Sequence, residues 1–341
     1  MCITSLNAQE AVIDINVSPS EVRVPNFNHI SPRPKFVELS HTFLGDYSFD
    51  VDSADSELFG PSQARIEDNQ RTTLKVNLPL HIGSRTTWIG GFSYKRETLK
   101  VRNIIGTEYT IYDRIDDQSL TQIGFNLIAQ HKLKDTRFFI AIVNWNLNSD
   151  DINIGELEQQ LRTTVSGVYG WKPNKYKQIS FGATIGYNLG RFQVLPVFMY
   201  ENDLSSRWNL ELIAPKRVNF RYTYSDRLFF YFGADIKGAN YTLASEPLEG
   251  FNRVEFRKAH VLSFLNLEAE IYDFLWVGAK AGYQIPLNIF FAEPAGNRSD
   301  AIIDPNLGSS FFSEFSVFFV VPKKLLSKTK SKLSPPGRNS R

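Results

Sequence analysis

The chain has 341 residues, with 38 Lys and Arg against 36 Asp and Glu, a net charge of +2. A balance so near neutral creates no whole-chain field for nucleic acid or an acidic partner. Mean hydropathy is −0.24, and no run reaches the roughly 18 apolar residues of a transmembrane helix, which excludes a helical membrane protein but leaves a β-barrel open.

Aromatic residues make up 13% of the chain, including 27 Phe and 14 Tyr. The single cysteine, Cys2, rules out an intrachain disulfide and any thiolate metal cluster. Met1 to Leu6 is mildly apolar, and Leu6-Asn7-Ala8 before Gln9 resembles the small-residue end of a signal peptide. Residues 1–8 are therefore expected to be a signal-peptide remnant cleaved after Ala8, with an ordinary frayed terminus as the alternative. A lipoprotein reading of Cys2 lacks the residues that should precede it.

Residues 9–35 contain two short alternating runs, AVIDINV and EVRV, then a stretch with Pro25, Pro32 and Pro34. A periplasmic leader is expected here. Residues 322–341 hold seven basic residues and no acidic ones around a Pro-Pro-Gly break, the composition of a disordered, solvated basic tail.

Between these ends, residues 36–321 alternate. Val37 to Phe49 carries Val37, Leu39, Phe43, Tyr47 and Phe49 on one parity, and an acidic loop, Asp50 to Glu57, follows. Leu74 to Ile82 and Trp88 to Tyr94 form the next pair, joined at Gly83-Ser84. After a long linker come Ile123 to Ala129 and Phe139 to Leu147, then a second linker and Leu161 to Trp171. Gln178 to Leu189, QISFGATIGYNL, is the clearest strand. Phe181, Ile185 and Leu189 share its apolar face, and Ser180, Gly182, Thr184 and Gly186 share its small, hydrophilic one. Phe192 to Tyr200 is apolar on both faces. Trp208 to Leu212, Val218 to Tyr224 and Leu228 to Ile236 follow, then Ala259 to Ile271, Leu275 to Ile285 and Phe311 to Val321.

These are about 12–14 strands of an all-β chain, and helical periodicity is nearly absent. The connections are long after the first, third, fifth, eleventh and thirteenth strands and short after every even one; only those after the seventh and ninth break the rule, by being short on the long side. Outer-membrane barrels sort their turns and loops this way, whereas a Greek-key sandwich has no reason to. Charges fall on the non-apolar parity in mid-strand: Lys75, Glu211, Arg217, Arg221, Asp235, Lys237, Glu268, Glu270 and Lys280. Aromatics such as Trp88, Tyr94, Trp145, Tyr169, Trp171, Trp208, Tyr224 and Tyr283 sit toward strand ends, as in interfacial girdles. A transmembrane antiparallel up-and-down β-barrel is the fold expected.

The run from Trp171 with Pro173-Asn174, then Leu195-Pro196, then LELIAPKRVNFRY with a Ser-Asp turn, resembles an uncharacterised family of outer-membrane β-barrels from Bacteroidetes, a domain of unknown function. The resemblance implies fold and location and brings no activity or catalytic residue.

Motifs for chemistry are sparse. His29, His41, His81, His131 and His260 have no metal spacing, and His81 and His260 fall on the expected lumen face. No GxSxG, Walker or GxGxxG motif stands in its required context. Asp50, Asp52, Asp55 and Glu57 lack the central Gly and spacing of a calcium loop. No catalytic residue, cofactor or metal is expected. The eight charges Glu211, Arg217, Arg221, Asp235, Lys237, Glu268, Glu270 and Lys280 are expected to line the lumen, as cross-strand pairs or as a selectivity filter.

The function expected is a passive pore or uptake channel for small solutes, with outer-membrane lipid and the barrel-assembly machinery as partners. A structural or adhesive barrel is the alternative, and an outer-membrane hydrolase a more distant one. Any open path is expected along the wall of Ser180, Gly182, Thr184 and Gly186.

Overall fold

The computed structural model describes residues 32–322 apart from 52–60, 107–111, 113–114, 117, 189–190, 245–250, 252, 295 and 297, and apart from the side chains of 187–193. The signal remnant, most of the leader, nearly all of the basic tail, Leu189 and all but Asp50 of the acidic loop's carboxylates lie outside the described residues.

Alternation of apolar and polar residues gives β1 (Lys35–Leu44), β2 (Tyr47–Val51), β3 (Ser62–Ile82), β4 (Thr86–Gly106), β5 (Ser119–Lys134) and β6 (Arg137–Ser149). After one helical turn come β7 (Leu161–Asn174), β8 (Lys177–Asn188), β9 (Arg191–Asp203), β10 (Trp208–Ala214) and β11 (Arg217–Ser225). The chain continues through β12 (Leu228–Leu243), β13 (Val254–Tyr272), β14 (Leu275–Ala292), β15 (Ala301–Ile303), β16 (Asn306–Leu307) and β17 (Ser310–Val320). Among the described residues, fourteen of these form a closed ring in sequence order, each antiparallel to the next. The last, β17, pairs with β1 from Val37↔Phe319 to Leu44↔Phe312 and shuts it. Strand β2 continues β1 past Gly45-Asp46, and β15 and β16 are short pieces near the long connections.

One end of the barrel carries the short turns together with the start of β1 and the end of β17; the other carries the long connections. These are called here the turn end and the loop end. The wall is uneven: β10 has 7 residues and β11 has 9, whereas β3 and β4 have 21 each.

The outer surface is apolar. Leu39, Leu78, Phe125, Phe181, Ile185, Phe232, Leu265 and Phe315 are all exposed, a belt that only lipid covers without cost. Trp88, Trp208 and Tyr224 at the turn end, and Trp145 and Tyr283 on the loop side, are exposed aromatics of the kind that hold a barrel at both interfaces.

Toward the loop end the pattern inverts. Tyr47, Phe49, Ile66, Leu99, Val101, Tyr241, Leu243, Val254, Phe256 and Phe291 are buried together inside the ring, with Ile302 and Ile303 of β15. Here the strands have water outside and pack an apolar core inside, as a soluble barrel does. Tyr47 and Phe49, expected on the face of Val37, Leu39 and Phe43, are 8% and 2% exposed and belong to this core. The break at Gly45-Asp46 separates the lipid-facing segment from the inward-packed one. The strands also run further than expected: β3 begins at Ser62 and β4 continues to Gly106, because their apolar residues change face and the alternation ends only when a single face is followed.

The loop end is drawn together across the ring. Strand β12 pairs in parallel with β6 at Thr242↔Ser149, and Ser149 Oγ donates to the Thr242 carbonyl at 2.9 Å. Arg162 of β7 reaches Glu255 of β13 at 2.7 Å and Thr242 at 3.2 Å. Strands β12 and β13 therefore reach across the ring to β6 and β7 above the short β10–β11 wall.

Candidate functional site

The inside of the ring divides into two halves of opposite character. The half built by β5 to β10 is packed with side chains. Ile128, Phe138, Ile140, Ile142, Val168, Val197 and Ile213 point inward and form one buried cluster, with Ile89 and Met199 against it. This explains why Phe192 to Tyr200 is apolar on both faces: one faces lipid and the other, including Val197, faces this cluster.

The wall expected to flank an open path belongs to this packed half. Ser180 and Thr184 are 0% exposed, Ser166 and Thr184 share a hydrogen bond of 2.7 Å, and Gly186 is buried. A Cβ on Gly182 would collide with the Gly167 carbonyl, and one on Gly170 with the Phe138 ring. The small residues make room for neighbouring strands and for Phe138, not for a solute, and the expectation of a path along Ser180, Gly182, Thr184 and Gly186 is corrected.

The other half is hollow. A cavity of about 210 Å³ runs between β1, β3, β4, β10 to β14 and β17, room for on the order of ten waters. Of the eight charges expected in the lumen, Glu211, Arg217, Asp235, Lys237, Glu268 and Lys280 line it. Arg221 and Glu270 also point inward but do not line it. Arg221 is buried against Glu211 at 3.4 Å, and Glu270 is held at the turn end by Arg33.

The carboxylates are all engaged. Asp235 takes two parallel hydrogen bonds of 2.7 Å from the Arg217 guanidinium. Glu268 accepts from Lys35 at 2.9 Å and from the Tyr231 hydroxyl at 3.1 Å, and Glu38 accepts from the same Lys35 at 2.7 Å. Glu314 accepts from Thr42 at 3.0 Å and lies 3.4 Å from Lys280.

The floor and roof of the cavity are equally organised. At the turn end Arg33 donates to Glu270, Asp273 and the Val321 carbonyl at 3.0 to 3.1 Å. The start of the described chain is thereby tied to the β13–β14 turn and the seam between β17 and β1. Beneath the apolar core, Glu97 accepts from Arg71 at 3.1 and 3.3 Å and from Lys258 at 2.7 Å, with all three side chains buried. The lining includes Lys216 and Arg217, at the turn between the short barrel strands β10 and β11 and level with Asp235 of β12. That turn is the low point of the rim.

Several lining residues were not among those eight: Arg33 and Lys35 before the expected first strand, Arg71, Lys75, Lys95, Lys258, Glu38 and Glu314. Lys75 was legible as an inward mid-strand charge. Arg71, Lys95 and Lys258 stand just beyond the ends drawn from the lipid-facing alternation. His260 is buried on the cavity wall, as expected, but His81 is exposed near the turn, because the register shifts between Pro79 and His81. Among the described residues no group of three or more His, Cys, Asp or Glu could hold a metal ion.

Residues 38–295 match the model of a family described as a domain of unknown function, DUF6268. No curated protein matches the chain. Among solved structures, it is similar to the COG4313 outer membrane channel from Pseudomonas putida F1, at 10% identity and a TM-score of 0.40, over 87% of this chain and 100% of that one. The NanC porin is similar at 9% identity and 0.36, over 83% and 100%. The P. putida toluene transporter TodX is similar at 8% and 0.39, over 89% and 92%. At these scores the likenesses add nothing to the barrel already described.

Proposed function

The chain belongs to the DUF6268 family, and we propose that it is a non-enzymatic outer-membrane channel through which small solutes diffuse passively along a charged lumen. The observation that carries this reading is the cavity, walled by charge, inside a barrel whose outer surface only lipid suits. A purely structural barrel gains nothing from keeping so many charges around a void, because filling such a site with apolar residues is often neutral or stabilising.

In this reading the turn end and both termini face the periplasm, and the long connections face outward. The likeness of the stretch from Trp171 onward to Bacteroidetes barrels adds a Bacteroidetes outer membrane to the proposal. Solute enters over the low rim at Lys216 and Arg217, since the apolar core and the β12–β6 contact occupy the rest of the loop end.

A second reading, an anchor or adhesin acting through external loops, draws on the extension of β3, β4 and β12 to β14 around an apolar core. Planar-bilayer recording separates the two. Discrete current steps from protein that migrates faster unheated than heated in SDS support the channel; a silent bilayer with that same folded sample supports the anchor.

A further inference from the structure

We propose that the lumen is selective for small oxyanions, which bind where Lys75, Lys237 and Lys280 converge; this inference rests on the channel reading above. The cavity lining holds ten Lys or Arg side chains and five Asp or Glu. Counting the charges paired with the lining from behind it, Glu97 on Arg71 and Lys258, Glu270 and Asp273 on Arg33, and Arg221 on Glu211, the excess is still three positive charges. The chain as a whole carries only +2, so the excess is a property of this surface and not of composition.

The excess is concentrated at mid-height. Lys75 projects from β3, Lys237 from β12 and Lys280 from β14; Glu314 of β17 lies within electrostatic reach of all three, Glu38 of Lys75 and Asp235 of Lys237. Lys280 is the one in contact with Glu314, at 3.4 Å, and Thr42 holds the other oxygen at 3.0 Å. Among the described residues neither Lys75 nor Lys237 has a carboxylate oxygen within 4.0 Å, although every carboxylate on the lining is paired. Two lysine side chains therefore line the cavity with no carboxylate in contact. Such a cleft focuses positive potential and concentrates anions.

The chemistry of the site narrows the ligand. Lysine presents a point charge with three rotatable donors and does not demand the planar fork that Arg makes with a carboxylate. Arg217, which has that fork, already spends it on Asp235. A compact oxyanion, whether a carboxylate or an inorganic phosphate, suits three lysine donors arriving from different strands. The cavity, about 210 Å³, admits it with part of its hydration shell. No stacking platform for a sugar ring is needed, since the potential does the selecting.

Reversal potentials under a KCl gradient test this directly, comparing the wild type with the double variant K75Q/K237Q and the charge-retaining K75R/K237R. The wild type is expected to prefer chloride over potassium on the order of tenfold. K75Q/K237Q should keep its heat-modifiable migration but fall toward a ratio of one, and K75R/K237R should stay with the wild type. Millimolar inorganic phosphate or acetate, added to one side, should lower the chloride current in wild type and not in K75Q/K237Q; a response to only one of them assigns the oxyanion.

A conducting wild type that prefers potassium, or a K75Q/K237Q that remains as anion-selective as the parent, overturns the inference and leaves the channel standing. A folded wild type that passes no current overturns the channel, and the inference with it.

Discussion

The two halves of the barrel solve the same problem, filling a fourteen-stranded ring, in opposite ways. In the half from β5 to β10, branched and aromatic residues from one strand occupy space that small residues on the next leave free. Phe138 lies where a side chain on Gly170 would be, and Val168 and Val197 pair on either side of Gly182. In the half from β10 to β4, charged side chains stand around a cavity, and each carboxylate is fixed by a cation or a hydroxyl. The difference teaches that a small inner face in a barrel strand is not evidence of an opening. Volume is shared across strands, so a glycine on one is read together with the phenylalanine beside it.

The largest expected effect comes from attacking the packed half at its centre. Phe138→Ala removes a ring that is 2% exposed and should cost about 3–5 kcal/mol of stability. The cavity left adjoins the Ser180 hydroxyl, which meets the Gly170 position from the same side as the Phe138 ring. Urea unfolding in detergent should show the loss while single-channel conductance stays unchanged; a clear rise in conductance means that this half can carry solute.

Glu97→Gln attacks the charged half with a similar magnitude. It leaves Arg71 and Lys258 buried with no carboxylate between them, which should cost about 3 kcal/mol. Anion preference should rise, since the change makes the lumen more positive. A stability equal to the wild type's would show that water, not Glu97, balances those two cations.

Gly182→Ala should have a smaller effect, about 1–3 kcal/mol, because its Cβ meets the Gly167 carbonyl and the β7–β8 pair has to shift. Thermal melting followed by circular dichroism would measure it. A neutral result would show that the β7–β8 wall yields easily, and would weaken the contrast between a rigid packed half and a hollow one.

Much of this architecture was legible in the sequence. Phe125, Phe181 and Phe315 alternate with polar neighbours, and the parity of long and short connections ordered the fourteen strands as the ring has them. The lumen position of Arg217, Asp235 and Lys237 followed from the same alternation. What escaped notice did so for two physical reasons. First, above the lipid the solvent changes sides, so Leu99, Val101, Tyr241 and Leu243 are apolar on the inner parity and the strands looked finished before they were. Arg71, Lys95 and Lys258 stand near that changeover, where the lipid-facing alternation no longer marks which side is the lumen. Second, inner-face packing is a relation between strands. Ser180, Gly182, Thr184 and Gly186 look spacious in one strand, and only the register with Val168 and Val197 shows what fills the space. Ile140 and Ile142 on the inner parity of β6, and the two apolar faces of β9, were the available signals.

The central claim is that water occupies one half of the lumen and not the other, and single-cysteine accessibility tests it most directly. In a Cys2→Ser background, which leaves no other thiol in the chain, Lys75→Cys, Lys237→Cys, Ser180→Cys and Thr184→Cys are exposed to a negatively charged, water-soluble thiosulfonate. The account predicts rapid modification at 75 and 237 and none at 180 and 184 before unfolding. Comparable rates at all four positions, in protein that still migrates as a folded barrel, would contradict it.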